Sequence, residues 1–165
     1  LPGIVVADTG PIRYLVLIGQ ADLPARPFGA ISVPATVADE LRHPNARDEV
    51  RAWAADAPPW LSVHPDPLEF LPELRRLDLG ERAAIGLAGA VGAGLLLIDD
   101  RAGVAAARKL GFRVTGTLGV LVEAAGHGLL DLSAAFAALR ATNFHHSPAL
   151  LDALLAEHRA RRESR

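Results

Sequence analysis

The chain has 165 residues, a formal charge of −2, half of its residues apolar and 22% charged, which is enough apolar material to bury one compact core and excludes a disordered polymer. So small a net charge creates no global basic field, so a nucleic acid would have to be held by a local patch of arginines. With no cysteine in the chain, disulfide scaffolds, zinc fingers, iron–sulfur sites and thiol catalysis are all excluded, and carboxylates, histidines and hydroxyls are left for chemistry.

The chain opens on a strand-like stretch, Leu1 to Asp8, whose β-branched run Ile4, Val5, Val6, Ala7 stops at the acid. Thr9, Gly10 and Pro11 read as sharp punctuation, and Ile12 to Ile18 as a short helix halted by Gly19. The same grammar recurs: Ile31 to Val33 form a short strand that Pro34 breaks, and Thr36 to Arg42 form a helix with Val37 and Leu41 on one face. Ala46 to Ala55 continue as a helix with Val50 and Trp53 inward, and Trp60 to Val63 form another strand. His64 to Pro72, with three prolines, reads as a surface connection.

Asp78, Leu79, Gly80 and Glu81 open a helix reaching Val91, Gly92 to Gly94 turn the chain, and Leu95 to Ile98 form a fully apolar strand that ends at Asp99 and Asp100. Arg101 to Leu110 follow as a helix and Phe112 to Val114 as a strand. Thr117 to Ala125, Leu132 to Arg140 and Pro148 to about Arg159 complete the chain as helices. Strands alternating with helices predict an α/β domain with a central parallel sheet of about four or five strands and helices on both faces. Residues 1–155 are expected to form this domain and residues 156–165 a basic C-terminal tail. The longest uncharged stretch, Ala83 to Ile98, holds four glycines and falls short of the roughly 18–20 residues that span a bilayer, so no membrane segment is expected. No cationic stretch leads into a hydrophobic one at the start, which gives a cytoplasmic expectation.

In an open parallel sheet, ligands bind beyond the carboxyl ends of the strands where the strand order reverses. Asp8 and the pair Asp99 and Asp100 stand at such ends; Glu40 and Glu81 lie on helices nearby. Each has an ordinary explanation taken alone. A strand-terminal aspartate caps the helix that follows, Glu40 sits on a helix surface beside Asp39, and Asp78 with Glu81 has the spacing of a capping box. Taken together, converging carboxylates without arginine partners repel one another and lose hydration, which costs kilocalories unless a cation compensates. Hard oxygen ligands suit Mg²⁺ or Mn²⁺, ions that polarise a phosphate oxygen and lower the pKa of an attacking water, so the chemistry implied is phosphodiester hydrolysis.

The strings VVADTGPIRYLVLIG, ISVPATVADELRHP, LGERAAIGLA, LLLIDDRAG and VTGTLGVLVEA, in this order and spacing, resemble the PIN-domain superfamily, in particular a prokaryotic branch of PIN-like nucleic-acid-binding proteins related to VapC toxins. The resemblance runs from about Ile4 to about Leu155. It implies a metal-dependent ribonuclease whose metal-site acids are Asp8, Glu40, Glu81, Asp99 and Asp100. Asp99 is the favoured ligand of the adjacent pair, and Thr9 orients a water or a phosphate. It also implies RNA as substrate, a homodimer, and an antitoxin protein as partner of a toxin. Arg13, Arg42, Arg82 and Arg101 each fall within about a turn of an acid, where a guanidinium would hold an RNA backbone, although solvated helix faces account for them equally well. The rival reading is a non-catalytic binding module on the same frame.

Other signals carry less. Asp8-Thr9-Gly10 spells the aspartic-protease triplet, but that site needs two such loops on an all-β frame. A receiver domain wants a lysine at a late strand, and the only lysine, Lys109, lies in a predicted helix. A dehalogenase-type phosphatase wants an aspartate where Gly10 stands. The six histidines lack ligand spacing, and His145 with His146 reads as the lead-in to a helix capped by Ser147 and Pro148. Gly116 to Gly119 reads as a helix start. Leu150, Leu151, Leu154 and Leu155 form a stripe open to packing, a dimer contact or an inhibitor peptide.

Overall fold

A computed structural model describes residues 3–165; Leu1 and Pro2, part of the predicted first strand, lie outside the described residues. Five parallel strands, β1 (Val5–Ala7), β2 (Ile31–Pro34), β3 (Leu61–His64), β4 (Leu95–Leu97) and β5 (Val114–Thr115), form one sheet in the order β3-β2-β1-β4-β5. The helices are α1 (Thr9–Leu17), α2 (Ala25–Phe28), α3 (Ala35–Arg42), α4 (Asp48–Ala55), α5 (Leu79–Val91), α6 (Arg101–Lys109), α7 (Thr117–Gly126), α8 (Leu132–Arg140) and α9 (Pro148–Glu163). The period-two alternation of a strand divides the core in two. Val5, Ala7, Leu95 and Leu97 pack with α1, α3, α4, α7 and α8 on one face, whereas Val6, Leu96 and Ile98 pack with α5 and α6 on the other. The α/β domain with a parallel sheet covered on both sides is therefore the observed architecture, and strands buried on both faces explain why β1 and β4 read as unbroken apolar runs.

Several boundaries differ from the sequence reading, each for a local reason. Thr9-Gly10-Pro11 is not a turn before the helix but the first turn of α1, since proline is tolerated where a helix N–H has no intrahelical acceptor. Pro34 closes β2 rather than breaking it and pairs in register with His64; the extended φ that proline fixes suits a strand end. Helix α4 starts at Asp48 instead of Ala46 and places Asp48 and Glu49 in its first turn, where acids favour the helix dipole. The short α2 and a 3₁₀ turn at Pro72–Leu74 were not foreseen. Strand β5 is shifted towards Thr115, which is fixed by the Ile98 N–H donating to the Thr115 carbonyl at 2.9 Å. Helix α9 runs on to Glu163, so most of the basic 156–165 segment is helical. Gly86 of α5 lies under Pro67, where a Cβ would come within 2.9 Å of the ring. No helix among the described residues is long and apolar enough to cross a membrane.

Leu96 is fully buried in the central strand pair and Leu79 is 63% exposed. Leu96→Ala is expected to lower stability by about 2–5 kcal/mol through lost transfer energy plus a cavity, and Leu79→Ala by less than about 0.5 kcal/mol; urea unfolding midpoints check both.

Candidate metal centre

The strand order reverses between β1 and β4, and the two chain ends leaving that point carry Asp8 and Asp99. The Asp8 N–H donates to the Leu97 carbonyl at 2.8 Å, so the ladder holds the start of α1 against the end of β4. Helices α1, α3, α6 and α7 leave β1, β2, β4 and β5, so four helix N-termini open on the same end of the sheet, and the first turn of α5 reaches it through Gly80 against Glu40.

The carboxylates differ in their local partners. Asp8 is 8% exposed and stands at the N-cap of α1, yet its side chain makes no capping bond. Glu81 is 6% exposed. Asp78 accepts from the Glu81 N–H at 2.8 Å, which is one half of a capping box; no bond from the Glu81 carboxylate back to Asp78 completes it. Glu40, half-buried, accepts from the Thr9 hydroxyl. Asp99 is held through both oxygens by Thr117, whose N–H and hydroxyl each donate at 2.7 Å. Asp100 is exposed and caps α6, accepting from the Ala102 and Gly103 N–H groups at 3.0 and 3.3 Å. Neighbouring Asp99 and Asp100 thus point differently, Asp99 towards the β1–β4 junction and α7, Asp100 onto its own helix.

These groups share one electrostatic field. Burial pushes the Asp8 carboxyl up from its ordinary 3.8 to about 7, with Asp78, Glu40 and Asp99 adding to the rise and the Thr9 N–H opposing it. Burial likewise raises Glu81, together with the charges of Asp78, Asp100 and Asp8. Asp99 is raised by burial against the opposing effects of Thr117 and, more weakly, Arg13. None of these acids takes part in any of the ion pairs found among the described residues, which all lie elsewhere on the surface.

Of the four arginines singled out in the sequence, Arg13 is the one whose charge reaches an acid of this group strongly enough to shift it. Arg42 instead donates to the Ala54 carbonyl at 3.5 Å, Arg82 lies over the Phe70 ring, 5.7 Å from its centroid, and Arg101 is exposed.

Three glycines border the pit, and a fourth makes room for Ile98 beside it. A Cβ on Gly80 would stand 2.6 Å from Glu40 Oε2, one on Gly116 2.5 Å from Asp99 Oδ1 and one on Gly10 3.2 Å from Asp99 Oδ2, whereas one on Gly103 would meet Ile98 Cδ1 at 2.6 Å. They occupy the opening turns of α1, α5 and α6 and the N-cap of α7. Glycine in a helix costs about 1 kcal/mol relative to alanine, and its recurrence in the opening turns of α1, α5 and α6 is a signal the sequence offered. Asp78 and the fully buried Thr117 were also missed as members of the site, because a helix cap and a helix start already accounted for them.

Hard oxygen donors, buried and mutually repelling, fit a divalent cation of the Mg²⁺ or Mn²⁺ kind. Among the described residues, however, no three His, Asp or Glu side chains already stand together as a ligand group. Glu40, Asp78, Asp99 and Asp100 each accept from a hydroxyl or backbone donor, and each carboxylate keeps lone pairs beyond those bonds for a cation.

A family model for the PIN domain matches residues 4–160, and the chain belongs to the PIN-domain family. Neither a curated protein nor a solved structure matches it. PIN domains are in general nucleases that bind divalent metal ions.

Because the folded-state pKa of Asp8 lies above its ordinary value, the native chain holds more protons than the unfolded one between about pH 4 and 7, and metal-free stability falls as pH rises through that window. Asp8→Asn is therefore expected to stabilise the chelator-treated protein at pH 8 by up to about 4 kcal/mol, with the gain gone near pH 4. Urea unfolding across this range reads it, and a gain independent of pH would contradict the assigned cause.

Proposed function

We propose that this PIN-domain chain is an endoribonuclease dependent on Mg²⁺ or Mn²⁺, and that it serves as the toxin of a toxin–antitoxin pair. The observation that carries the nuclease reading is the set of acids gathered beyond β1 and β4 with no cationic side chain paired to any of them. The toxin role, a homodimer and an antitoxin partner rest on the resemblance to VapC-type proteins alone.

In this reading Asp8, Glu40, Glu81 and Asp99 hold the cation directly or through water, and Asp100 and Thr9 support them. A divalent cation held there would offset charge on a phosphate oxygen and make an attacking water more acidic. Thr117 holds Asp99 at the junction through both oxygens, so the carboxylate is positioned before substrate arrives. The Thr9 hydroxyl donates to Glu40 and keeps its lone pairs free to accept from a water or a ribose hydroxyl. Asp8, whose burial disfavours a bare charge, would give up its proton to hold the cation. Arg13 meets a phosphate oxygen from the α1 side.

One observation favours the rival reading of a non-catalytic binding module: four of the acids already have local donors and no ligand group is preformed. The two readings part on metal binding. The nuclease reading expects Mn²⁺ at a hundredfold excess over its Kd to raise the Tm by about 5–10 °C, and mixed RNAs to be cut in a manner abolished by chelator and by Asp8→Asn. Chelator-insensitive cutting shared equally by wild type and variant, or no Mn²⁺-linked change in Tm, would reject it.

A further inference from the structure

Beside the acid pit lies a cleft of about 250 Å³ between α1, the end of α3 and the α3–α4 link. Thr9 and Glu40 form its wall towards the pit, so the two spaces share a hydrogen-bonded pair of side chains. Its floor is apolar, made by Leu41 and Val50, both essentially inaccessible to solvent. Its rim is polar. Arg13 reaches it from α1 with the guanidinium 5.0 Å from the centroid of the Tyr14 ring, its Nε buried and without a hydrogen-bond partner, and in no ion pair among the described residues. On the opposite side the Asn45 N–H donates to His43 Nδ1 at 3.1 Å. That bond makes Nδ1 an acceptor, so the neutral ring carries its proton on Nε2 and offers a donor at an exposed position. The Asn45 side chain is exposed as well and brings one amide donor pair and one acceptor.

We propose that this cleft seats one unpaired nucleotide flanking the cleaved phosphodiester bond, with Arg13 on its phosphate and His43 and Asn45 contacting the base edge. The inference rests on the nuclease reading above and adds to it the residues that would choose the nucleotide. The volume sits just below the roughly 300–1,000 Å³ of pockets that enclose drug-sized ligands, which suits one nucleotide unit and shuts out a duplex. The mixed donors and acceptors of the exposed rim match an unpaired Watson–Crick edge. A partnerless guanidinium beside an acidic pit is the arrangement expected of a residue awaiting an anion, because its charge is held near Asp99 without being paired.

The test measures fluorescence anisotropy of single-stranded RNA octamers of A, C, G and U in chelator, where metal-dependent cutting does not occur, and maps cut sites separately in Mn²⁺. His43→Ala/Asn45→Ala changes two exposed residues and leaves the floor intact. It is expected to weaken binding of one octamer about tenfold while sparing the others, and to even out the cut-site preference in Mn²⁺. Arg13→Ala is expected to weaken all four octamers about equally, in keeping with a phosphate contact, with Arg13→Lys restoring part of the loss. The proposal is overturned if wild type binds none of the octamers, or if the double variant keeps every affinity within about twofold and cuts at the wild-type sites. Mn²⁺-dependent cutting with an unchanged pattern in the double variant would leave the nuclease reading standing and remove the cleft. Base-selective loss of binding without cutting in any metal would keep the cleft and remove the nuclease reading.

Discussion

Negative charge is concentrated, out of water, at the junction of β1 and β4, and the rest of the site is arranged around that cost. Raising Asp8 from 3.8 to about 7 corresponds to about 4 kcal/mol against its ionised form. Several helix N-termini face this end of the sheet, and each offers about 0.3–1 kcal/mol to an anion in its first turn, up to about 2 when partly buried. That attraction, together with the Thr9 and Thr117 donors, eases the strain without cancelling it, since Asp8, Glu81 and Asp99 all remain raised. Two remedies are open to such a site: it retains protons, or it takes up a cation. A pit that can do either couples proton release to cation uptake.

The same charge constrains the backbone. Acids from α3 and from the end of β4 rest against opening turns of neighbouring helices that carry no side chain at the points of contact. Gly80 against Glu40 and Gly116 against Asp99 leave less room than a Cβ requires. The helix-forming penalty of these glycines is thus a cost accepted locally so that a tertiary contact can close, which is a conflict between levels of the kind that marks functional sites.

Capping and ligation compete as explanations for Asp8, Glu81, Asp99 and Asp100, and the structure divides them residue by residue. Asp100 is occupied as a cap, and so is Asp78, although its charge is still felt by Asp8 and Glu81. Asp8 stands where a cap would stand and does not act as one. Glu81 has the spacing of a capping box and leaves it half made. These two are the most buried acids of the chain, which is why their charge, rather than their local geometry, decides what they do. Glu40 and Asp99 lie between these cases, each braced by a threonine from another element.

The sequence by itself determined the alternation of strands and helices, the parallel sheet covered on both faces, and the acids at the strand ends, because these follow from periodicity and from the residue types that end a buried strand. The starts of α1 and α4, the two-residue β5 and the short α2 escaped it, since elements so short are set by single long-range bonds such as that between Ile98 and Thr115. Which arginine faces the acids was likewise beyond reach: Arg13, Arg42, Arg82 and Arg101 each fall within about a turn of an acid in the sequence, and only helix packing sends Arg42 to the Ala54 carbonyl and Arg82 to Phe70. Tertiary structure alone decided that Asp99 is gripped by Thr117, that Asp78 joins the group, and that His43 and Asn45 border a cleft opening from the pit. Sequence distance carries no information about such contacts, because they form across the sheet edge between chain segments whose separation is fixed by strand order and not by residue number.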